Sequence, residues 1–445
     1  MDGGVPAAHR PLDAALLARA RARGPRPLAL WLVLFAVYAA GAGMHARAGS
    51  DLRPSEAHVL LTTQSLVHDG DYVLDDDYAH GSWAPFYRGR LVPSALSVDG
   101  RLIEPQGLGF PAVLVPAYAI GGRLAVELFL AALAALGFVL AAALARRVVP
   151  EPWATRAALA AGLSPPAVVA ATTIAPAALV AALLAGAALM ALRVRKGAAG
   201  RAAAASAAML ALIPWLGPVG LLPAVVVAGA LYVWMRRVLR GWAAFGAMEI
   251  VLLSVIVYVT LNRHLFGGLT PYAASALAHA PSGIGGLGDL LSRWPRLLGV
   301  WVDPQVGLLL YAPVTALAGV ALGHAWRLRR ERVARAFPAE ADAERATQLL
   351  ALVCAAGVLT ALLLPSLAGR GPGEPLVVVL PCLAALAAAA LRRVPRTGGA
   401  LALAGVVLTL WMLVAVRIDD HAGVSPVRGA VPWSTLAGDS PPRVR

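Results

Sequence analysis

The side chains of this sequence that could carry out chemistry concentrate in one polar stretch, residues 51–104, between strongly apolar segments. Nine of the chain's 24 acidic residues lie there: Asp51, Glu56, Asp69, Asp71, Asp75, Asp76, Asp77, Asp99 and Glu104. A carboxylate can accept a proton from an attacking hydroxyl group or supply oxygen ligands to a divalent cation. We therefore expect any reaction of this protein to take place at this stretch.

The rest of the sequence predicts a membrane-embedded scaffold for this stretch. Of the 445 residues, 59% are hydrophobic and 14% are charged, and the mean hydropathy is +0.71. This composition is typical of a polytopic membrane protein, in which about 20 apolar residues form each helical crossing. The sequence predicts an all-α fold with eleven transmembrane helices, at roughly 27–44, 123–145, 154–173, 176–194, 202–219, 220–235, 243–263, 305–326, 346–366, 374–391 and 399–416.

The distribution of charge predicts how the chain is oriented. With the tail 1–26 in the cytoplasm, the inner tail and loops hold 24 of the 38 basic residues and 7 acidic ones, whereas the outer segments hold 14 basic and 16 acidic residues. This pattern follows the positive-inside rule. We expect a multi-pass protein of the bacterial cytoplasmic membrane, with a transmembrane domain at 27–417, large outer loops at 47–122 and 264–304, and an extracytoplasmic tail at 418–445.

Two classes of function are disfavoured by the composition. The net charge of +14 raises the question of nucleic-acid binding, but no basic stripe alternates with aromatic residues that could stack on bases. The two cysteines, Cys354 and Cys382, both lie in apolar runs and match no zinc or thiol-redox spacing. We expect both cysteines to be buried as small apolar residues.

The first outer loop has recognisable local structure. Residues 55–67 show helical spacing and predict an amphipathic helix lying at the membrane interface. The apolar segment 105–122 is interrupted by prolines and glycines, which predicts a bent, half-inserted segment rather than a full crossing. A second amphipathic piece is predicted at 287–300 in the later outer loop.

Glu56 is the candidate general base, because it lies at the start of the predicted interfacial helix, just beyond the first span. The alternative is a solvated residue that stabilises the positive end of the helix dipole. Asp51 is a second candidate base, and His58 is a candidate for positioning the acceptor.

Two further groups of residues could bind ligands. Arg263, His264 and Arg370 lie at outer ends of spans, where they could bind a phosphate or serve as interface anchors. A divalent cation, Mg²⁺ or Mn²⁺, could be held by acidic residues of the first loop, although ordinary turns explain them equally well. The metal candidates are Asp69, Asp71, Asp76 and Asp77.

Several runs of sequence resemble the GT-C-type membrane glycosyltransferases of bacteria, which are similar to protein mannosyltransferases and lipid A aminoarabinose transferases. The runs are SEAHVL at 55–60, QSLVHDGD at 64–71, DDY at 76–78, QGLGFP at 106–111, PAYAIGG at 116–122 and DPQVGLLLYAP at 303–313. The resemblance implies transfer of a sugar from a polyprenyl-phosphate carrier, outside the membrane, to a glycan, lipid or protein acceptor. It also implies an acidic base in the first loop and inversion at the sugar carbon.

This sequence departs from the family pattern at important positions. The family's Asp-Glu pair is Ser55-Glu56 here, and Glu374 stands roughly where an Arg-aromatic pair is usual. A serine hydroxyl cannot act as a base unaided. A non-catalytic GT-C-like lipid-binding or assembly subunit is therefore the alternative to an enzyme. A transporter is the third hypothesis, but Glu249 alone within a span and the lack of a visible half-repeat disfavour it.

Overall fold

A computed structural model of the chain describes residues 27–43, 52–94, 100–194, 199–238, 242–274, 287–331, 338–364 and 370–418. Within these ranges the chain forms α-helices and short 3-10 segments, with no β-strand. The predicted tail 1–26, nearly all of the predicted tail 418–445 and the candidate base Asp51 lie outside the described residues.

The first eight helices include the first loop and the centre of the bundle. They are α1 Pro27–Ala40, α2 Pro54–His68, α3 Asp75–His80, α4 Gly109–Ala145, α5 Trp153–Gly162, α6 Pro165–Thr172, α7 Ala177–Ala191 and α8 Ala199–Leu212. The later helices are α9 Leu221–Val238, α10 Trp242–Phe266, α11 Leu287–Ser292, α12 Arg296–Val302, α13 Leu308–Tyr311, α14 Ala316–Glu331, α15 Pro338–Leu363, α16 Leu380–Arg393 and α17 Pro395–Ile418.

In the part of the chain that the structure describes, six helical segments are long and apolar enough to cross a membrane, and the bent pair α6 and α7 makes a seventh. Helices α1 and α8 are apolar but shorter. Large apolar side chains on α10 point away from the protein, with Leu252, Leu253 and Ile256 each more than half exposed. Such a surface suits contact with lipid chains. The chain is thus a multi-pass helical membrane protein.

Several predicted spans are broken, so the described residues do not reproduce eleven continuous helices. The predicted span 154–173 is two short helices, α5 and α6, because Pro165 and Pro166 end one hydrogen-bonding ladder and begin another. The predicted span 305–326 is interrupted in the same way by Pro313. The axes of α6 and α7 differ by 113°.

The bend expected at 105–122 is present inside the long helix α4. Gly121 and Gly122 both leave the helical conformation, and Gly122 has a φ of 59°. A left-handed φ of this kind is costly for residues with a Cβ atom but not for glycine. The half of α4 that precedes this break packs with the first loop, where the Tyr118 hydroxyl donates to Gln64 Oε1 over 3.0 Å.

Two contacts show that one end of the bundle carries the first loop. Glu56 in α2 accepts a hydrogen bond from the backbone N–H of Ile174, which lies in the break between α6 and α7. The N–H of Gly43, just after α1, donates to Glu127 near the start of the second half of α4. We call this the first-loop end. Since α7 has 15 residues, its last residue Ala191 lies about 22 Å away along the axis, at the opposite end.

Candidate functional site

Helix α2 brings most of the predicted site residues to the first-loop end. The sequence predicted an amphipathic helix over 55–67, and the helix is present at Pro54–His68. It is not a surface helix, however, because residues 56–63 are buried on every face. Helix α2 is therefore enclosed by its neighbours, which include α4 and the part of the first loop that carries Tyr78, and periodicity alone does not reveal this.

The Glu56 carboxylate is 2% exposed and joins two distant parts of the chain. Its Oε2 accepts the N–H of Arg53 at the start of α2, and its Oε1 accepts the N–H of Ile174, both over 2.8 Å. Burial raises the pKa of Glu56, while the two backbone N–H groups and the guanidinium groups of Arg53 and Arg123 partly offset this rise. The alternative of a solvated helix-end residue is therefore wrong. Glu56 fixes the start of α2 against the break between α6 and α7.

Arg53 was missed by the sequence reasoning, yet it pairs with a residue 321 positions away in the sequence. Its Nη1 donates to Glu374 Oε2 over 3.0 Å, and the side chain of Arg370 donates to Glu374 Oε1 over 3.3 Å. The N–H of Gly371 also donates to Glu374 Oε2, over 2.6 Å. We call Arg53, Arg370, Gly371 and Glu374 the arginine site. Its only sequence signal is that Arg53 immediately precedes the predicted helix.

The arginine site retains unused donors. Arg53 is 9% exposed, and its Nε and Nη2 have no partner among the described residues. The guanidinium groups of Arg53 and Arg370 both pair with the one carboxylate of Glu374. A buried guanidinium with free N–H groups is suited to bind a phosphate, because the planar fork of donors matches phosphate oxygens. This geometry could bind an anion.

The turn that carries Glu374 depends on glycine. Gly373 has a φ of 64°, and its N–H donates to the Val306 carbonyl over 3.0 Å. A Cβ atom added to Gly373 would lie 2.7 Å from Pro166 Cγ, which is closer than van der Waals contact permits. The backbone of this turn is therefore packed directly against α6, and it holds Glu374 at the start of α2.

His58 belongs to a second polar group, together with Tyr78 and Glu104. We call these three residues the polar triad. The Tyr78 hydroxyl donates to Glu104 Oε1 over 2.6 Å and lies 2.7 Å from His58 Nδ1. Ser94 donates to Glu104 through both its hydroxyl and its N–H. Since the Tyr78 proton points to Glu104, the Tyr78 oxygen is free to accept the Nδ1–H of His58.

The electrostatics of the polar triad follow from its burial. His58 and Glu104 are each 3% exposed. Burial lowers the pKa of His58, and the nearby Glu104 partly offsets this effect. Burial and Glu104 together raise the pKa of Tyr78 well above its ordinary value. The triad connects α2, α3 and the end of the first loop, so the folding of this loop depends on it.

The acidic residues proposed as metal ligands lie mainly in turns. Asp71 Oδ1 accepts the N–H of Val73, and Asp69 ends α2. Asp77 is buried, its Oδ2 has no partner among the described residues, and burial raises its pKa. No group of three or more His, Cys, Asp or Glu side chains in the described part of the chain could hold a metal ion. The structure therefore gives the proposed Mg²⁺ or Mn²⁺ site of Asp69, Asp71, Asp76 and Asp77 no support.

Arg263 and His264 occupy the last turn of α10, where both are exposed. This helix end contacts the first loop through an apolar cluster that includes Phe266, Ile103 and Leu108. The hydrogen bonds among the described residues do not connect Arg263 or His264 with the arginine site. Of the three predicted phosphate-binding residues, the structure brings only Arg370 to Glu56 and Arg53.

Comparison with solved structures identifies the class of fold. ArnT from Cupriavidus metallidurans matches in the apo state with a TM-score of 0.51 and 16% identity, covering 92% of this chain and 72% of that chain. The same protein bound to undecaprenyl phosphate matches with a TM-score of 0.51 and 18% identity, covering 93% and 73%. The oligosaccharyltransferase AglB from Archaeoglobus fulgidus, in complex with an inhibitory peptide and a dolichol-phosphate, gives a TM-score of 0.48 at 12% identity, covering 90% and 56%.

ArnT is a GT-C-type membrane glycosyltransferase. This chain therefore has the fold of a GT-C-type membrane glycosyltransferase, as the motifs of the first loop predicted. No family model matches the chain, and no curated protein matches its sequence.

Proposed function

We propose that this protein transfers a sugar from a polyprenyl-phosphate carrier to an acceptor outside the cytoplasm. The observation that supports this function best is the arginine site, with two unpartnered nitrogens on the buried Arg53. It lies at the first-loop end of a GT-C fold, and the similar ArnT structure binds undecaprenyl phosphate. In this proposal the phosphate of the carrier binds Arg53 and Arg370.

The chemistry required of the arginine site is stabilisation of the leaving group. An acceptor hydroxyl oxygen forms a bond to the sugar carbon C1 while the bond from C1 to the phosphate oxygen breaks. The leaving polyprenyl phosphate gains negative charge, which guanidinium donors in a site of low dielectric stabilise. The hydroxyl proton passes to a carboxylate, for which Glu56 and Asp51 are the proposed acceptors.

Each oxygen of Glu56 already accepts one backbone N–H group and the residue is 2% exposed, so an acceptor hydroxyl would have to reach a remaining lone pair of a buried carboxylate. Its position therefore favours Asp51 as the group that takes the proton, with Glu56 fixing α2. His58 is proposed to position the acceptor through the edge of its ring that faces away from Tyr78 and Glu104. Arg263 and His264 are proposed to contact the donor at the last turn of α10.

A second candidate function is a non-catalytic, lipid-binding GT-C-like subunit of a membrane complex. One observation favours it: the exposed residue beside Glu56 is Ser55, which has no acidic group, whereas the carboxylate of Glu56 is buried and occupied. In this case the arginine site would hold a polyprenyl phosphate without transferring its sugar.

The proposed location and orientation follow from the distribution of charge. We place the first loop and the C-terminal tail outside the bacterial cytoplasmic membrane and the N-terminal tail in the cytoplasm. The proposed partners are a polyprenyl-phosphate sugar and an acceptor glycan, lipid or protein.

Turnover of a panel of radiolabelled polyprenyl-phosphate sugars by the purified protein in lipid, with and without Mg²⁺ or Mn²⁺, tests the proposal. The enzyme hypothesis predicts sugar release that is lost in Asp51→Asn and Arg53→Gln but kept in Arg90→Gln, a change at an exposed arginine of the same loop. Binding without turnover would support the non-catalytic subunit. In that case Ser55→Asp gives turnover only if the protein is an enzyme that has lost its acidic residue.

A further inference from the structure

The opposite end of the bundle holds a pocket that the proposed reaction does not use. It encloses about 100 Å³ between the last turns of α7 and α9, the residues after α4 and the first turns of α15. Its polar lining consists of Arg147, Arg237, Arg345 and Asp342, together with Trp234. The three arginines come from three separate segments, so the fold, and not one basic run of sequence, brings them together.

The charge of this pocket favours an anion. Three guanidinium groups face one carboxylate, which leaves two positive charges if all four groups are ionised. Arg147 and Asp342 make further interactions of their own, so the argument does not depend on either being unpaired. Arg237 and Arg345 are exposed and can turn towards a ligand. Guanidinium groups from several helices are suited to a phosphate, which accepts hydrogen bonds from several directions.

The surroundings of the pocket indicate that the phosphate belongs to a lipid. On α15, Leu352 lies two turns from Arg345 on the same helix face and is 59% exposed. On α9, Val233 lies one turn before Arg237 and is 45% exposed. Trp234 lines the pocket between the two basic helix ends, and tryptophan is enriched where headgroups meet acyl chains. The charged pocket therefore continues into an exposed apolar surface, which runs along α9 and α15 towards the mid-length of these helices.

We propose that this pocket binds the phosphate of an anionic phospholipid, at the end of the bundle opposite the first loop. The headgroup phosphate contacts Arg147, Arg237 and Arg345, and the acyl chains lie along α9 and α15. Basic pockets between transmembrane helices on the cytoplasmic side are a known mode of anionic lipid recognition. The bound lipid would join α9 and α15 to the centre of the bundle, because Arg147 follows α4.

The test compares thermal unfolding of the purified protein in nanodiscs of phosphatidylcholine with and without a fifth of phosphatidylglycerol or cardiolipin. The test variant is R147Q/R237Q/R345Q, and the control is R392Q/R393Q/R396Q, which removes three charges from exposed positions around the junction of α16 and α17. We expect anionic lipid to raise the Tm of the wild type and of the control, and to raise that of the test variant much less. Native mass spectrometry should show one retained anionic lipid per wild-type chain and a several-fold lower occupancy in the test variant.

Two outcomes would overturn the proposal. Equal lipid-dependent shifts in the test variant and the control would mean that anionic lipid acts through general charge. Inorganic phosphate or pyrophosphate could instead raise the Tm of the wild type in detergent. If this rise is lost in the test variant and is not increased by lipid, the pocket binds a soluble phosphate. If the test variant does not fold, the single variants R237Q and R345Q allow the same comparison. Each of these is expected to lose part of the shift.

Discussion

Two charged regions of the first loop, one around Arg53 and Glu56 and the other around Asp71, differ in how far along the sequence their bonding partners lie. Glu56 bonds to a residue 118 positions away, and Arg53 pairs with Glu374 at a distance of 321 positions. By contrast, Asp71 Oδ1 accepts hydrogen bonds from groups only two and six residues away, the N–H of Val73 and the hydroxyl of Ser65, and therefore stabilises local structure. The comparison shows that a high density of acidic residues does not mark the site. The site is marked by a few charged residues whose partners are distant in sequence and whose bonds are buried.

The largest effect that we expect separates these two regions. Glu56→Ala leaves the N–H groups of Arg53 and Ile174 buried without an acceptor, and each such loss costs about 1–3 kcal/mol. Asp76→Ala, at an exposed position in the first turn of α3, should change the free energy of unfolding by no more than about 0.5 kcal/mol. Thermal unfolding in detergent measures both. Equal stability of the two variants would mean that Glu56 does not connect the loop to the bundle.

The next effect concerns the backbone that carries Glu374. Gly373→Ala places a Cβ atom against Pro166 at a φ of 64°, and the left-handed conformation alone costs about 1–2 kcal/mol. Gly399→Ala is the matched control, because a Cβ at that helical position meets no atom within 4 Å. We expect Gly373→Ala to lower the Tm and to weaken lipid-phosphate binding, and Gly399→Ala to do neither. Tolerance of alanine at Gly373 would contradict the packing of this turn against α6.

A double-mutant cycle sharpens the comparison within the arginine site. Arg53 and Glu374 have 11% and 28% of their side chains exposed and are 3.0 Å apart, whereas Arg370 is 26% exposed and 3.3 Å from Glu374. Changing each residue to Gln should give a coupling energy of about 0.5–3 kcal/mol for the Arg53 pair. The Arg370 pair should give a smaller value, because solvent screens it more strongly. The reverse order would show that Arg370 is the main partner of Glu374.

The smallest predicted effect is a pH dependence that arises in the polar triad. Burial lowers the pKa of His58 below its ordinary value of about 6.5, so the unfolded chain binds the additional proton. The stability contributed by neutral His58 is therefore fully present above pH ~6.5 and is lost as the pH falls below it. The decrease in Tm between pH 7 and pH 5 should be smaller in His58→Asn. His80→Gln, at an exposed histidine of α3, should behave like the wild type.

The sequence predicts the fold well because its signals are local and repeated. Apolar runs indicated a helical membrane protein, the resemblance of the sequence motifs to those of GT-C-type enzymes indicated the class of fold, and the break near Gly121 followed from prolines and glycines. The helix containing Glu56 and His58 was also predicted. These features depend on residues that are close in sequence.

The interior of the site could not be predicted, because its bonds are long-range. Nothing near Arg53 in the sequence indicates that it pairs with Glu374, and the approach of Ile174 to Glu56 depends on the bend between α6 and α7. The predicted boundary between the spans 154–173 and 176–194 falls at that bend, but the break between α5 and α6 inside the first of these spans was not predicted. Arg263 and Arg370 appeared equivalent in the sequence, since both end apolar runs, and only the fold places Arg370 beside Arg53.

The measurement that tests the central claim most directly is the affinity of the purified protein for undecaprenyl phosphate in wild type, Arg53→Gln and Arg90→Gln. Charge-assisted hydrogen bonds contribute about 1.5–3 kcal/mol each, so Arg53→Gln should weaken binding by about tenfold or more. Arg90→Gln should bind like the wild type. Unchanged affinity in Arg53→Gln, with the fold intact, would contradict the assignment of the arginine site as the phosphate-binding site of this protein.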